Sequence, residues 1–252
     1  MASNPVALQL YTVREDTAKD FVGTLRRVAE IGYRAVELAG TGGLSAVDLK
    51  AALDDLGLRV AGSHLGLDAL TTNFDATAQY NRIIGNPFLV CPGVPEERRN
   101  SAAAWRDLAK TFNEIGKKAH AAGFGVAYHN HNAEFTTYDG QAGLDIFLAD
   151  TDPKLVGVEL DVFWARYAGV DPAAYMAKHP GRFPLLHLKD MAKDEKSFAE
   201  VGEGIIDFKA IFAQAKAAGA QWNIVEQDTC ARPPLESVRI SLENLKKWSV
   251  AG

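Results

Sequence analysis

The chain lacks most of what would mark it for export, a membrane or a polyanion. Its 252 residues hold only two cysteines, Cys91 and Cys230, and no CxxC pair. That excludes a disulfide-built scaffold or a thiolate metal site and makes a reduced, cytoplasmic protein the expectation. No apolar run approaches the roughly 20 residues of a membrane-spanning helix. The first residues, Met1-Ala-Ser-Asn-Pro5, lead into a strand pattern without a charged and then apolar leader, so a soluble protein that is not exported is expected. Positive charge is not in excess. Lys and Arg number 27 against 32 Asp and Glu, a net charge of −5, which disfavours nucleic acid as a partner and suits a neutral or weakly charged small molecule. No linker or low-complexity stretch divides the chain, so one domain over residues 1–252 is expected, and the 47% hydrophobic content can fill a large core.

What is present is an alternation of short apolar runs with amphipathic segments. Val6–Tyr11 reads as a strand and Phe21–Ile31 as its helix, stopped by Gly32. Ala35–Leu38 pairs with a helix from Ser45, a plausible N-cap, to Leu56. Arg59–His64 is followed by a helix near Phe74–Ile84, and Phe88–Cys91 by a long one over Ala102–Ala122. The fifth unit is Gly125 onward with a helix near Leu144–Leu148; the sixth is Leu155–Val162, with Asp171-Pro172 opening its helix. Phe183–Leu188 with Phe208–Ala218, then Trp222–Gln227 with Leu235–Trp248, complete the series. Eight strand-helix pairs, each roughly 30 residues long, close into a (β/α)8 barrel. The rival doubly wound sheet would carry a GxGxxG turn after the first strand, and there is none.

A barrel of this kind builds its site at the C-terminal ends of the strands, and that is where the reactive residue types fall. The run Gly125-Val-Ala-Tyr-His-Asn-His-Asn-Ala-Glu-Phe135 stops being apolar at His129, His131 and Glu134. Other predicted strands end in Glu159 and Asp161, in His187, and in Glu226. Of the six histidines, His64, His129, His131 and His187 lie at strand ends; only His120 and His179 belong to helix contexts. One such histidine is as easily a core residue bonded to a carbonyl as a ligand, whereas four together favour a site. Carboxylates from Asp161, Glu226 and Glu134 converging on one mouth would repel one another unless a divalent cation offsets them. Oxygen and nitrogen ligands without thiolate suit Mn2+, Mg2+, Co2+ or Zn2+, with manganese favoured.

The motifs Leu8-Gln-Leu-Tyr-Thr-Val-Arg14, Tyr128-His-Asn-His-Asn-Ala-Glu-Phe135, Glu159-Leu-Asp-Val-Phe-Trp164, Leu186-His-Leu-Lys-Asp190, Glu200-Val-Gly-Glu-Gly-Ile-Ile-Asp207 and Val225-Glu-Gln-Asp228 run the length of the chain. Together they resemble the xylose-isomerase-like barrel superfamily of sugar isomerases and epimerases. The resemblance implies a metal set of glutamate, aspartate, histidine and glutamate, whose last three members match Asp161, His187 and Glu226. Ketose epimerases carry a glutamate where this chain has His129. Either His129 ligates directly, or Glu134 reaches the metal from the following loop while His129 and His131 serve the substrate; Glu134 is preferred because it preserves the charge of the set. The His-Asn-His arrangement looks like proteins acting on inososes and on 3-keto sugars or glycosides. In that setting an imidazole removes a proton beside a carbonyl and then protonates a departing oxygen.

The expectation is therefore a metal-dependent sugar enzyme working through an enediolate, with β-elimination or hydration favoured over epimerisation or isomerisation. His131, His129, Glu226 and His64 are the candidate acid/base residues. Tyr11, Glu37, Glu159 and Trp164 are candidates for touching substrate, each with a packing or hydrogen-bonding role as the plain alternative. Lys189 is expected to face away from the site in a structural ion pair, and Glu159 to support the ligands or pair with Lys189. A homo-oligomer is implied by the resemblance alone. An apurinic endonuclease, which would show a positive groove, and a non-catalytic sugar-binding barrel are the remaining alternatives.

Overall fold

The computed structural model describes residues 4–250. Eight parallel strands close into a barrel: β1 (Val6–Gln9), β2 (Ala35–Leu38), β3 (Arg59–His64), β4 (Phe88–Cys91), β5 (Gly125–His129), β6 (Gly157–Asp161), β7 (Leu185–Leu188) and β8 (Trp222–Val225), each hydrogen-bonded to its sequence neighbours and β8 to β1. The expected (β/α)8 architecture is thus the one found. Strands are shorter than the sequence suggests at several ends. Leu10–Val13 winds into a 3-10 turn that removes Tyr11 from β1, and Val162 opens a short helix, Val162–Tyr167, instead of closing β6.

Capping residues set the helix starts. Ser45 Oγ accepts the Asp48 N–H at 3.1 Å, and an Asp171 carboxylate oxygen accepts the Ala173 N–H at 2.9 Å with Pro172 in the first turn. The long helix Ala102–Ala121 is capped by Ser101 and buries Trp105, Leu108, Phe112, Ile115 and Ala119 against the barrel at three- and four-residue spacing. Two antiparallel ribbons in the loops after β5 and β7, Thr137–Tyr138 with Gln141–Ala142 and Asp190–Met191 with Phe198–Ala199, are not foreseen by the sequence pattern. No helix among the described residues is long and apolar enough to cross a membrane.

Two cores result. Residues facing the helices form the larger one, and a small separate cluster of Ala7, Ala35, Ala61, Phe88, Val90, Ala127, Leu185, Trp222 and Ile224 fills the lumen. Gly125 makes room there: a Cβ at this position would lie 2.4 Å from the Phe88 ring. Between β2 and β3 the register shifts, Val36 pairing with Val60 but Glu37 with Gly62. This one-residue irregularity resets the alternation of β3, so that His64 as well as Ala61 turns inward.

Candidate active site

One pleat above the apolar lumen cluster, the inward residues become polar. Gln9 follows Ala7, Glu37 follows Ala35, His129 follows Ala127, His187 follows Leu185 and Glu226 follows Ile224, each by the two residues that keep a side chain on one face. Glu159 and Asp161 from β6 complete the ring, and all seven are buried.

His187 stands at the centre. Its Nδ1 is 2.9 Å from Glu226 Oε2, while its Nε2 is 2.8 Å from Glu37 Oε2 and 3.1 Å from Glu159 Oε2. Glu37 is itself held by Gln9, whose Nε2 donates at 2.7 Å, and it fits against β3 only because residue 62 is glycine; a Cβ there would meet Glu37 Oε1 at 2.5 Å. Glu159 Oε2 also lies 2.8 Å from His64 Nε2 and 3.0 Å from His129 Nδ1. Burial, reinforced by the charge of Glu159, pushes the Glu37 carboxyl up to about 7. Burial also opposes charge on Glu159, but His187 and His64 outweigh it and hold that carboxyl well below its usual range. The same balance favours the proton on His187, where Glu159 and Glu226 overcome burial, whereas burial keeps His129 neutral.

Towards the mouth, Asp161 Oδ1 caps the Val162–Tyr167 helix by accepting the Trp164 N–H at 2.9 Å, leaving Oδ2 facing inward. Lys189 Nζ sits 2.9 Å from Asp161 Oδ2, 2.8 Å from Glu226 Oε2 and 2.9 Å from Asp228 Oδ1. Burial disfavours its charge, yet the three carboxylates prevail and hold the ammonium above its normal range. The expectation that Lys189 faces away fails. It stands two residues after His187, and that spacing returns a side chain to the same face. Its ion pairing is real, but with Asp161, Glu226 and Asp228, not with Glu159.

His129, Asp161, His187 and Glu226 each bring a ligand atom within 4.8 Å of the others, and this donor chemistry fits a divalent ion. Asp161 Oδ2 is buried there beside the Lys189 ammonium at 2.9 Å, while His129 Nδ1 faces Glu159 Oε2 at 3.0 Å. Glu134 is not in this group. Its Oε1 accepts the Tyr128 hydroxyl at 3.0 Å and its Oε2 the His131 N–H at 2.8 Å, so it braces the loop after β5 and thereby sets the position of His131. His131 is half-buried, its ring 4.9 Å from that of His129 and 5.7 Å from Trp164. Trp164, Phe163 and Phe198 form an aromatic wall, with Lys189 Nζ 5.6 Å from the Trp164 and Phe198 rings. Tyr11 lies at the exposed rim beneath the Arg14 guanidinium, 4.3 Å from its ring centre.

Two residues were not singled out from sequence. Asn130 accepts the Asp161 N–H at 3.0 Å and donates to the Asp161 carbonyl at 3.3 Å, stitching the ends of β5 and β6 together. Its signal was a polar residue between two histidines, off the inward face. Asp190 accepts N–H groups from Met191, Gly202, Gly204 and Ile206 at 2.8 to 3.1 Å, folding the Glu200–Asp207 segment beside the mouth.

The family profile described as xylose isomerase-like TIM barrel matches residues 25–248. The chain belongs to this family. Inosose dehydratase from Clostridium tetani is 32% identical over 154 residues, which cover 52% of this chain and half the length of that relative. Inosose dehydratase from Geobacillus kaustophilus is 25% identical over 265 residues, covering 88% of this chain and 85% of the relative. Among solved structures of xylose isomerase-like form, a sugar phosphate isomerase/epimerase from Parabacteroides distasonis superposes with a TM-score of 0.86 at 27% identity, over 100% of this chain and 96% of that one.

Proposed function

We propose that this chain is a metal-dependent sugar enzyme that forms an enediolate from a keto sugar, keto glycoside or inosose and then eliminates or adds water or an aglycone at the β carbon. The observation that carries the reading is the convergence of two carboxylates and two imidazoles, Asp161, Glu226, His129 and His187, with the half-buried His131 beside them at the barrel mouth. The similarity to inosose dehydratases supports a dehydratase outcome, and the similarity to a sugar phosphate isomerase/epimerase keeps the isomerase one as its alternative. Acidic residues number 32 against 27 basic ones, and no excess of positive charge favours a nuclease.

A divalent ion, Mn2+ by preference, held by those four residues would supply Lewis acidity towards adjacent carbonyl and hydroxyl oxygens and so favour the enediolate. His131 takes the proton from the carbon beside the carbonyl and, as imidazolium, returns one to the departing oxygen. Trp164 and Phe198 exclude water from one side of the ring. Lys189 remains an ammonium among three carboxylates, so it orients Asp161 and Glu226 and does not act as a Schiff-base amine.

Solvent deuterium should enter substrate or product at the carbon next to the carbonyl when a keto sugar, a keto glycoside and an inosose are tried side by side. His131→Ala should slow this exchange with the ion still bound, whereas Glu226→Ala should impair both. Release of water or aglycone supports the lyase reading; inversion of a stereocentre alone transfers the site to the epimerase class. No exchange with any of the three, in metal-loaded protein, sinks enolisation.

A further inference from the structure

On the side of the mouth away from the aromatic wall lies a cleft that the proposed reaction leaves unused. Trp164 and Phe198 follow β6 and β7; the cleft stands four strands away around the closed barrel, beside the ends of β2 and β3. It encloses about 350 Å3 between Leu38, His64 and Leu65 on the strand side and Ala76, Thr77 and Tyr80 of the helix Phe74–Ile83. That volume is at the lower end of small-molecule pockets, roughly 300 to 1,000 Å3, and so suits one part of a ligand. The helix returns the chain between parallel strands and runs opposite to them, which sets Ala76 and Thr77, in its first turn, at the level of the mouth. His64 divides the cleft from the polar ring. Its Nε2 lies 2.8 Å from Glu159 Oε2, and its side chain is 12% exposed where those of Glu37, Glu159 and His187 are fully buried. No charged side chain among the described residues lines the cleft. Its larger polar groups are spent on the protein: Tyr80 donates its hydroxyl to the Leu44 carbonyl at 2.9 Å, and the Asn81 amide donates to the Thr77 carbonyl at 2.9 Å and accepts from Asn86 at 2.8 Å. The surface offered to a ligand is therefore mainly apolar.

We propose that this cleft is a subsite for the uncharged, aromatic aglycone of a keto glycoside, with the sugar ring held between it and the Trp164 wall. The inference rests on the enediolate reading above and names the substrate within it. A phosphate or carboxylate would find no cation here, and a free sugar or inosose, hydroxylated around its ring, gains little from an apolar wall. An aromatic group leaves water there and gains contacts with Leu38, Leu65 and Tyr80. The elimination balances without a co-reactant. The proton beside the carbonyl is removed, the carbon–oxygen bond to the aglycone breaks with its electron pair going to oxygen, and that oxygen takes a proton from the imidazolium. The sugar keeps the new double bond, and the aglycone departs as a neutral phenol.

Binding and turnover separate this subsite from the reaction it serves. In calorimetric titrations phenyl glucoside, which cannot enolise, should bind about 10- to 100-fold more tightly than methyl glucoside, the gain from burying one aromatic ring. Ala76→Phe, at an exposed helix position lining the cleft, should bring that ratio close to one, and Leu65→Ala should reduce it by several fold, with circular dichroism as the check on folding. The 3-keto forms of the two glucosides should show the same ratio in kcat/KM and the same loss of it, with an inosose turned over no faster than the methyl compound. Equal affinity for the two glucosides, or a ratio that survives Ala76→Phe, overturns the subsite while leaving enolisation of the keto sugars standing. If phenyl glucoside shows the ratio and its loss but no keto compound exchanges deuterium, the subsite stands and the reading of the reaction falls.

Discussion

The lower and upper halves of the barrel lumen are built by the same strands, two residues apart, and have opposite chemistry. Below, Ala7, Ala35, Ala61, Phe88, Ala127, Leu185 and Trp222 pack small against large with no polar side chain. Above, Gln9, Glu37, His129, Glu159, Asp161, His187 and Glu226 are as deeply buried but polar. A step of roughly 6.6 Å along each strand separates a region that stabilises the fold from one that burdens it, since buried charges are tolerated only when paired. Stability and reactivity should therefore respond to different substitutions on the same strand.

The largest effect should come from the lower half. Phe88→Ala empties the space that Gly125 leaves for the ring and should cost about 3 to 5 kcal/mol in denaturant unfolding. The folded fraction should retain its metal stoichiometry and deuterium exchange. Loss of metal in this variant at full folding would break the separation of the two halves. Nearly as large is Lys189→Met, which strands Asp161, Glu226 and Asp228 without their ammonium. Removing one partner of such a buried set costs about 3 to 5 kcal/mol. Because a divalent ion can neutralise the same carboxylates, added Mn2+ should restore much of the lost Tm in this variant and little in Phe88→Ala.

A smaller effect, in pH dependence, belongs to the upper half alone. Glu37 is held at about 7 in the fold against an ordinary 4.5, so its contribution is complete below 4.5 and is lost as the pH rises towards 7. His187, raised above its ordinary 6.5, adds stability that disappears as the pH climbs through its folded value. Glu159 and Glu226, both held low, contribute above 4.5 and lose that contribution only as the pH falls through their depressed values. His129, kept neutral by burial, works the other way, adding stability as the pH rises to its ordinary 6.5. The Tm of metal-free protein should therefore decline clearly only above 6.5, and Glu37→Gln should turn the slope between 4.5 and 6.5 upward. An unchanged slope would show that Glu37 is not the group responsible.

The barrel was legible because strands end where apolar residues stop and several helices are announced by a cap such as Ser45, Ser101 or Asp171. The residues that gather at the mouth were legible for the same reason: His129, Asp161, His187 and Glu226 sit at strand ends and bring ligand-type atoms within 4.8 Å of one another, whereas Glu134, the first ligand preferred from sequence, does not join them. What escaped depends on backbone geometry that hydrophobic pattern does not encode. The register shift at Glu37 and Gly62, which turns His64 inward, leaves no mark in the alternation of polar and apolar residues. Glu134 looked like a ligand by charge, but the short 3-10 turn Ala133–Phe135 aims its carboxylate back at Tyr128 and the His131 N–H. Lys189 was readable and misread, since its spacing from His187 already placed it with the site.

Asn130 offers the mildest test, and it probes how the upper half is held in register. Its amide bridges to both backbone groups of Asp161, so the carboxylate of Asp161 meets Lys189 and Glu226 from a strand end that Asn130 fixes. Asn130→Ala leaves the buried Asp161 N–H without an acceptor, a loss of about 1 to 3 kcal/mol. The substitution removes no ligand atom, so metal stoichiometry should be kept while metal affinity falls by roughly 10- to 100-fold, the range for groups that orient a ligand. Asn130→Asp keeps the acceptor but replaces the donor to the Asp161 carbonyl with a second carboxylate oxygen, and should recover less than half of the lost stability. If Asn130→Ala weakens metal binding no more than it weakens the fold, Asp161 is positioned by its own helix cap to Trp164, and the upper half owes its geometry to β6 alone.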